Sequence, residues 1–166
     1  MFEIIYIHHA ELTESLLQEI INIKSVAWPY SIESQHAWIK ANLKNNDIHV
    51  LLLKDNKVVA YLNLIEIELI IDSKIFIGFG IGNVCAAEKG KGWGKELINH
   101  VNMYLKKNNK VGLLFCKNNL VKFYYVNGWT LIRKDEFFPT TPISVNVMIF
   151  DLVQNYKQVA YLGNPF

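Results

Sequence analysis

Residues 84–95 read Val84-Cys85-Ala86-Ala87-Glu88-Lys89-Gly90-Lys91-Gly92-Trp93-Gly94-Lys95. They join an apolar β-rich run, Ile75 to Cys85, to an amphipathic run, Gly94 to Asn108, where Leu97, Ile98, Val101 and Leu105 recur at helical spacing. A strand therefore passes into a helix through a turn holding three glycines and three lysines. Glycine lets backbone approach a ligand closely, and the free N–H groups of a helix start, with the helix dipole behind them, attract an anion such as phosphate. Spacing excludes two familiar phosphate loops. There is no G-x-G-x-x-G, and Gly94-Lys95 is followed by Glu96 where a Walker loop needs Ser or Thr for magnesium.

Outward from this turn, the hydrophobic period sets the remaining elements. Upstream, Glu3 to His8 alternates as a strand, and Leu16, Leu17, Ile20 and Ile21 mark a helix that begins at Thr13 and ends before Pro29. Ser31 caps a second helix, with Ile32, Trp38, Ile39 and Leu43 on its apolar face, up to Asn45-Asn46. His49 to Lys54, Val58 to Ile71 and Ile75 to Cys85 form an antiparallel meander, turned at Asp55-Asn56 and Asp72-Ser73. Downstream, Val111 to Cys116 returns as an apolar strand, completing a βαβ unit with two parallel neighbours. Asn118 or Asn119 caps a short helix through Tyr125, closed by Asn127-Gly128, and Trp129 to Arg133 and Val145 to Val153 are the last strands. Lys134 to Ile143 is the longest loop. The order is β-α-α-β-β-β-α-β-α-β-β, a mixed α/β sheet over one domain, residues 1–166.

The 166 residues, 51% hydrophobic and 19% charged, exclude wholesale disorder. The apolar charge-free stretch Ile75 to Ala87 is far below the ~18 apolar residues of a membrane span. The opening Met1-Phe2-Glu3-Ile4 lacks the layout of a secretory signal, which points to the cytoplasm. Cys85 and Cys116 lack His or Cys neighbours at metal spacing and read as reduced, buried thiols, so no metal is expected. The net charge of +2 hides three unlike segments. Residues 1–88 hold six Lys against eleven acids, residues 89–122 hold eight Lys against Glu96 alone, and residues 123–166 balance three against three. The middle segment attracts anions. With Arg133 the sole arginine, the planar fork that reads bases is nearly missing, which speaks against a nucleic-acid partner.

The stretch from Val84 to Gly94 resembles the strand-to-helix signature of the GCN5-related N-acetyltransferase (GNAT) superfamily, Arg or Gln, two residues, Gly, one residue, then Gly or Ala. Lys89 stands where Arg or Gln is usual and Ala86 where Pro is common. Phe123-Tyr124-Tyr125-Val126-Asn127-Gly128-Trp129 is similar to the family's second signature, aromatic-Tyr, three residues, then Gly-aromatic. The element order matches the GNAT fold along nearly the whole chain. The resemblance implies an N-acetyltransferase with acetyl-CoA as co-substrate, held between splayed fourth and fifth strands. Val84 and Cys85 would bind the pantetheine arm. Lys89, Gly90, Lys91, Gly92, Trp93, Gly94 and Lys95 would hold the pyrophosphate, and Asn118 would contact the pantetheine or cap its helix. Gly78, Gly80 and Gly82 would suit a strand that bulges or lies against a ligand.

Tyr124 matches the family tyrosine that protonates the departing thiolate. The base is missing from its usual place: Ile75 to Val84 holds no acid, only Asn83, which would orient a water, and Glu66 and Glu68 on the preceding strand are the nearest candidates. His36, His49 and His100 receive no role. In this fold the acceptor crosses the first two helices and the loop before the last strand, where Trp28, Tyr30 and Phe137 offer aromatic walls. A small primary amine is the expected acceptor. Leu64 to Gly82 and Val147-Met148-Ile149 resemble the aminoglycoside 2′-N-acetyltransferase branch, whose strand-four acid is replaced here by glycine. A peptide or protein amine, or acyl-CoA binding without turnover, stays open, as does a homodimer through the tail Tyr156 to Phe166.

Overall fold

In the computed structural model, which describes residues 1–150 and 155–166, the elements run β1 (Phe2–His8), α1 (Glu14–Ala27), α2 (Ile32–Asn42), β2 (Ile48–Lys54), β3 (Lys57–Ile71) and β4 (Lys74–Ala86). They continue with α3 (Trp93–Lys107), β5 (Val111–Cys116), α4 (Asn118–Val126), β6 (Thr130–Leu131), β7 (Phe137–Pro139), β8 (Asn146–Phe150) and β9 (Val159–Tyr161). A single 3₁₀ turn, His9–Glu11, precedes α1. The strands hydrogen-bond in the order β1-β2-β3-β4-β5-β8-β6, with β9 against β3 and β7 against β9. This is the mixed α/β fold expected from the sequence. No helix among the described residues is long and apolar enough to cross a membrane.

The residues cluster into two compact units, 1–65 with 82–100 and 66–81 with 101–166, and β3, β4 and α3 each run from one into the other. In the first unit, β1 pairs antiparallel with β2 from Phe2–Lys54 to His8–Ile48, and β2 with β3 from Ile48–Leu64 onward. Thr13 and Ser31 begin α1 and α2 by accepting hydrogen bonds from the Leu16 and Ser34 N–H groups, at 3.3 and 3.1 Å. The helices bury Ile20, Ile21 and Ile39 against Leu51, Tyr61 and Cys85. In the second unit, β4 and β5 pair in parallel at Gly78–Val111, Phe79–Gly112 and Gly80–Leu113, and β5 pairs antiparallel with β8. β4 continues past that ladder to Ala86.

Several boundaries differ from the sequence expectation. α2 stops at Asn42 because the Leu43 N–H closes on the Ile39 carbonyl in extended conformation, short of Asn45-Asn46. The N-cap of α4 is Lys117, without a side-chain cap, because the Asn118 side chain accepts instead from Asn146 Nδ2 at 2.6 Å. The stretch Lys134 to Ile143 is not all loop: β7 lies in it, parallel to β9. Its partner β9 also pairs with β3, so the tail lies on strands of its own chain. The expected last strand, Val145 to Val153, is seen as Asn146–Phe150, and residues 151–154 lie outside the described residues.

Trp129 anchors the second unit. It is 1% exposed and its Nε1 donates to Asn102 Oδ1 at 3.0 Å. Its ring covers Gly112 so closely that a Cβ there would sit 2.7 Å from Trp129 Cη2 and 2.8 Å from Leu105 Cδ1. Neither atom belongs to a flexible chain end in open space, so Gly112→Val should cost about 1–3 kcal/mol by overpacking, read as a lower urea midpoint.

Candidate functional site

The turn after β4 keeps its backbone open. Gly90 and Gly92 have φ of +78° and +77°, in the left-handed region that a side chain disfavours, and a Cβ on either would meet nothing within 4 Å. Ala87 N–H donates to the Val59 carbonyl at 2.9 Å, which ties the start of the turn to β3, and Glu96 N–H donates to the Gly92 carbonyl at 3.0 Å, which begins α3. The N–H groups of the first α3 residues, Trp93, Gly94 and Lys95, have no carbonyl one turn back within the helix. Lys89, Lys91 and Lys95 are exposed around them. Lys91 leans 3.7 Å from Glu88 across solvent, a contact worth little. Exposed backbone donors, a helix start and three lysines suit an anion with several oxygens, such as a pyrophosphate.

Just before the turn, Asn83 takes φ +53° inside β4 and donates through Nδ2 to Asn63 Oδ1 at 2.7 Å. Val84 is half-buried and Cys85 is buried, its thiol pushed up to about 12 by burial, with Lys24 opposing that shift. Trp28 is half-buried and Tyr30 exposed at the end of α1 and after it, where Gln35 Nε2 donates to the Trp28 carbonyl at 2.8 Å.

The other predicted residues belong to the second unit. Tyr124 is 5% exposed on α4, packed edge-on to Phe123 and Trp129 with ring centres 5.0 and 6.3 Å away. Burial, reinforced by Cys116, holds its phenol far above the ordinary value, so it stays protonated. Phe137 is buried, 6.4 Å from the ring of Phe115. Glu66 and Glu68 are exposed on β3, alternating with buried Ile67 and Leu69, the pattern of a strand whose other face is solvated. Asn118 is exposed and held by Asn146.

A polar island beneath α1 and α2 escaped the sequence reading. His49, fully buried on β2, is bound through Nδ1 to the Tyr61 hydroxyl at 2.8 Å and through Nε2 to His9 Nδ1 at 3.0 Å. Burial, then the neighbouring His9 and Lys24, depress His49 to about 4, so it is neutral at physiological pH. Asn63, also fully buried, accepts through Oδ1 while its Nδ2 has no hydrogen-bond partner. Lys24 is 2% exposed, with its ammonium 4.2 Å from the centre of the Trp38 ring. The signal was present: Lys24 falls on the same helical stripe as Ile20 and Ile21, where a solvated lysine is out of place. Among the described residues no group of His, Cys, Asp and Glu could hold a metal.

Residues 8–132 match the family model of the acetyltransferase (GNAT) domain. The chain belongs to the GNAT acetyltransferase family. It is an N-acetyltransferase by that membership, and the GNAT fold binds acetyl-CoA or coenzyme A. Its structure is similar to that of Escherichia coli ElaA, with a TM-score of 0.65 at 19% identity over 91% of this chain and 100% of that one. An acyl-CoA N-acyltransferase from Pseudomonas aeruginosa gives 0.66 at 16% identity over 90% and 99%. The PaiA N-acetyltransferase of Thermoplasma acidophilum, solved in complex with coenzyme A, gives 0.57 at 18% over 92% and 99%. At such identities the likeness is one of fold. No curated protein matches this GNAT chain in sequence.

The His49 shift makes acid sensitivity a test of the buried island. An unfolded histidine titrates near 6.5 and folded His49 near 4, so below pH 6.5 the unfolded chain binds the extra proton and the native state does not. Stability from this group is complete above pH 6.5 and falls by up to about 3 kcal/mol as pH drops through 4. Urea midpoints at pH 7 and 4.5 should differ more for the native chain than for His49→Gln, whose amide does not titrate.

Proposed function

We propose that this GNAT protein moves an acetyl group from acetyl-CoA to a primary amine of a small molecule, by direct attack while both are bound to one domain spanning residues 1–166. The observation that carries the reading is the open turn at Gly90 and Gly92, where unpaired N–H groups at the start of α3 lie among Lys89, Lys91 and Lys95. These groups fit a pyrophosphate, and the Val84–Cys85 backbone would take the pantetheine arm. Bound there, acetyl-CoA supplies the activated thioester.

The residues of the chain divide the remaining work. An alkylammonium with a pKa of ~10.4 attacks only after losing a proton, and β4 carries no carboxylate to take it. Asn83, fixed by its bond to Asn63, is suited to orient a water in that place. Tyr124, kept protonated by burial, donates its hydroxyl proton to the departing thiolate, with Asn118 as a pantetheine contact. For the acceptor, Tyr30 and half-buried Trp28 offer aromatic surface of the kind that favours a cation, Glu66 and Glu68 remain exposed carboxylate candidates, and Phe137 is buried and loses support as an aromatic wall. An aminoglycoside-like compound is one such acceptor, from the resemblance of Leu64 to Gly82 and Val147-Met148-Ile149 to the 2′-N-acetyltransferase branch, although glycine here replaces that branch's strand-four acid.

Coenzyme A release from acetyl-CoA over a panel of aminoglycosides, polyamines and short peptides tests the reaction. Amine-dependent release should fall by ~10²-fold or more in Tyr124→Phe, with acetyl-CoA affinity unchanged. Binding without release for any amine would favour an acyl-CoA-binding module instead. Gly92→Val, forcing a branched side chain to φ +77°, should weaken acetyl-CoA binding by about tenfold or more in calorimetry, since such strain costs ~1–3 kcal/mol.

A further inference from the structure

Lys24 has no part in the reaction just described, yet its position is costly to maintain. It is 2% exposed in the apolar layer formed by Ile20, Ile21, Ile23 and Ile39. Among the described residues no carboxylate pairs with it. Its ammonium stands over the face of Trp38, 4.2 Å from the ring centre. Buried cations are ordinarily paired, so an unpaired one calls for a role. The same layer contains Cys85, the neighbour of Val84 on β4. Lys24 and the Cys85 thiol lie close enough to influence each other's protonation.

We propose that Lys24 is a self-acetylation site, its Nζ accepting an acetyl group from acetyl-CoA held along the Val84–Cys85 backbone. The inference rests on the acetyl-CoA reading of the preceding subsection. The Lys24 Nζ lone pair forms the new N–C bond to the acetyl carbon as the C–S bond breaks, and the electron pair leaves on the coenzyme A sulfur. The Lys24 ammonium gives up two protons in all, one ending on the coenzyme A thiol and one in solvent. The product is a neutral amide, which removes a positive charge that lies among apolar side chains without a carboxylate partner.

Protonation at the site favours the step. Burial lowers Lys24 to about 8, so a large share of the group is free amine at mildly alkaline pH. The titratable groups facing it are Cys85 on β4 and His49 on β2, the latter bonded to Tyr61 on β3 and to His9 before α1. None of these is a carboxylate that would hold the proton on Lys24.

The test is peptide mass spectrometry of the full chain incubated with acetyl-CoA across pH 6.5 to 9.5, native and unfolded in urea, beside a calorimetric titration with acetyl-CoA. In the native chain Lys24 should gain the mass of one acetyl group about tenfold faster than in the unfolded chain. Its rate should level off above pH ~8, whereas labelling of an ordinary solvated lysine side chain, with a pKa of ~10.4, would still be rising there. Lys24→Arg should abolish that one modification. If the chain binds acetyl-CoA but Lys24 is labelled more slowly folded than unfolded, or without a plateau, self-acetylation is refuted and the acetyl-CoA reading stands. If acetyl-CoA does not bind, both fall.

Discussion

Three alternate residues of β4 have no side chain, and what lies against each of them could not be there otherwise. A Cβ on Gly78 would collide with the backbone of Val111, so the missing side chain lets β5 come alongside in parallel. A Cβ on Gly80 would enter the ring of Phe166, which is packed in turn on Phe115 with ring centres 4.9 Å apart. At Gly82 the occupant is the Asn63 side chain, 3.2 Å from where a Cβ would stand. One bare strand face therefore admits a neighbouring strand, the tail and a buried amide in succession. The first contact makes the βαβ unit possible, and the third sets the amide that holds Asn83.

The same bare face leaves no room for an acid on this part of β4. A carboxylate at Gly80 or Gly82 would have to displace Phe166 or Asn63, so packing as well as sequence removes the acid from this strand. Negative charge in the first 88 residues lies elsewhere, on exposed positions such as Glu66 and Glu68. Beneath α1 and α2 the buried polar groups are instead an imidazole, a phenol, an amide and an amine, in His49, Tyr61, Asn63 and Lys24. Burial away from water disfavours the charged form of each base and lowers both His49 and Lys24, with His9 and Lys24 adding to the shift at His49.

Much of this was legible in the amino-acid order. The strand–turn–helix at 84–95 rests on local signals, glycine, lysine and a 3.6-residue apolar period, and local signals fix local structure. The caps Thr13 and Ser31 were readable for the same reason. What failed to show were pairings between distant segments. β7 and β9 are three residues each, too short for a hydrophobic period, and they exist because each gives the other a ladder. Asn118 looks like an N-cap until Asn146, on a strand 28 residues away, takes its oxygen. His49 and Asn63 read as interruptions in apolar strands. Their meaning comes from the register that sets them opposite one another across β2 and β3.

Burial sorts the candidate residues by what each can do. The turn residues 89–92 are exposed with backbone donors available, which suits capture of a diffusing anion and does not require the core to move. Tyr124 is fixed on three sides by Phe123, Trp129 and the backbone bond from Trp129 N–H to its own carbonyl, at 3.1 Å. Such fixation would hold the hydroxyl of the proposed acid in one place at little entropic cost. The aromatic residues proposed for the acceptor differ among themselves: Tyr30 is exposed, Trp28 half-buried and Phe137 buried. A donor site built from backbone tolerates sequence change, whereas an acceptor surface built from exposed side chains changes with every substitution. This asymmetry explains why the family can be read from two short signatures while the choice of amine is written in residues that carry no common pattern.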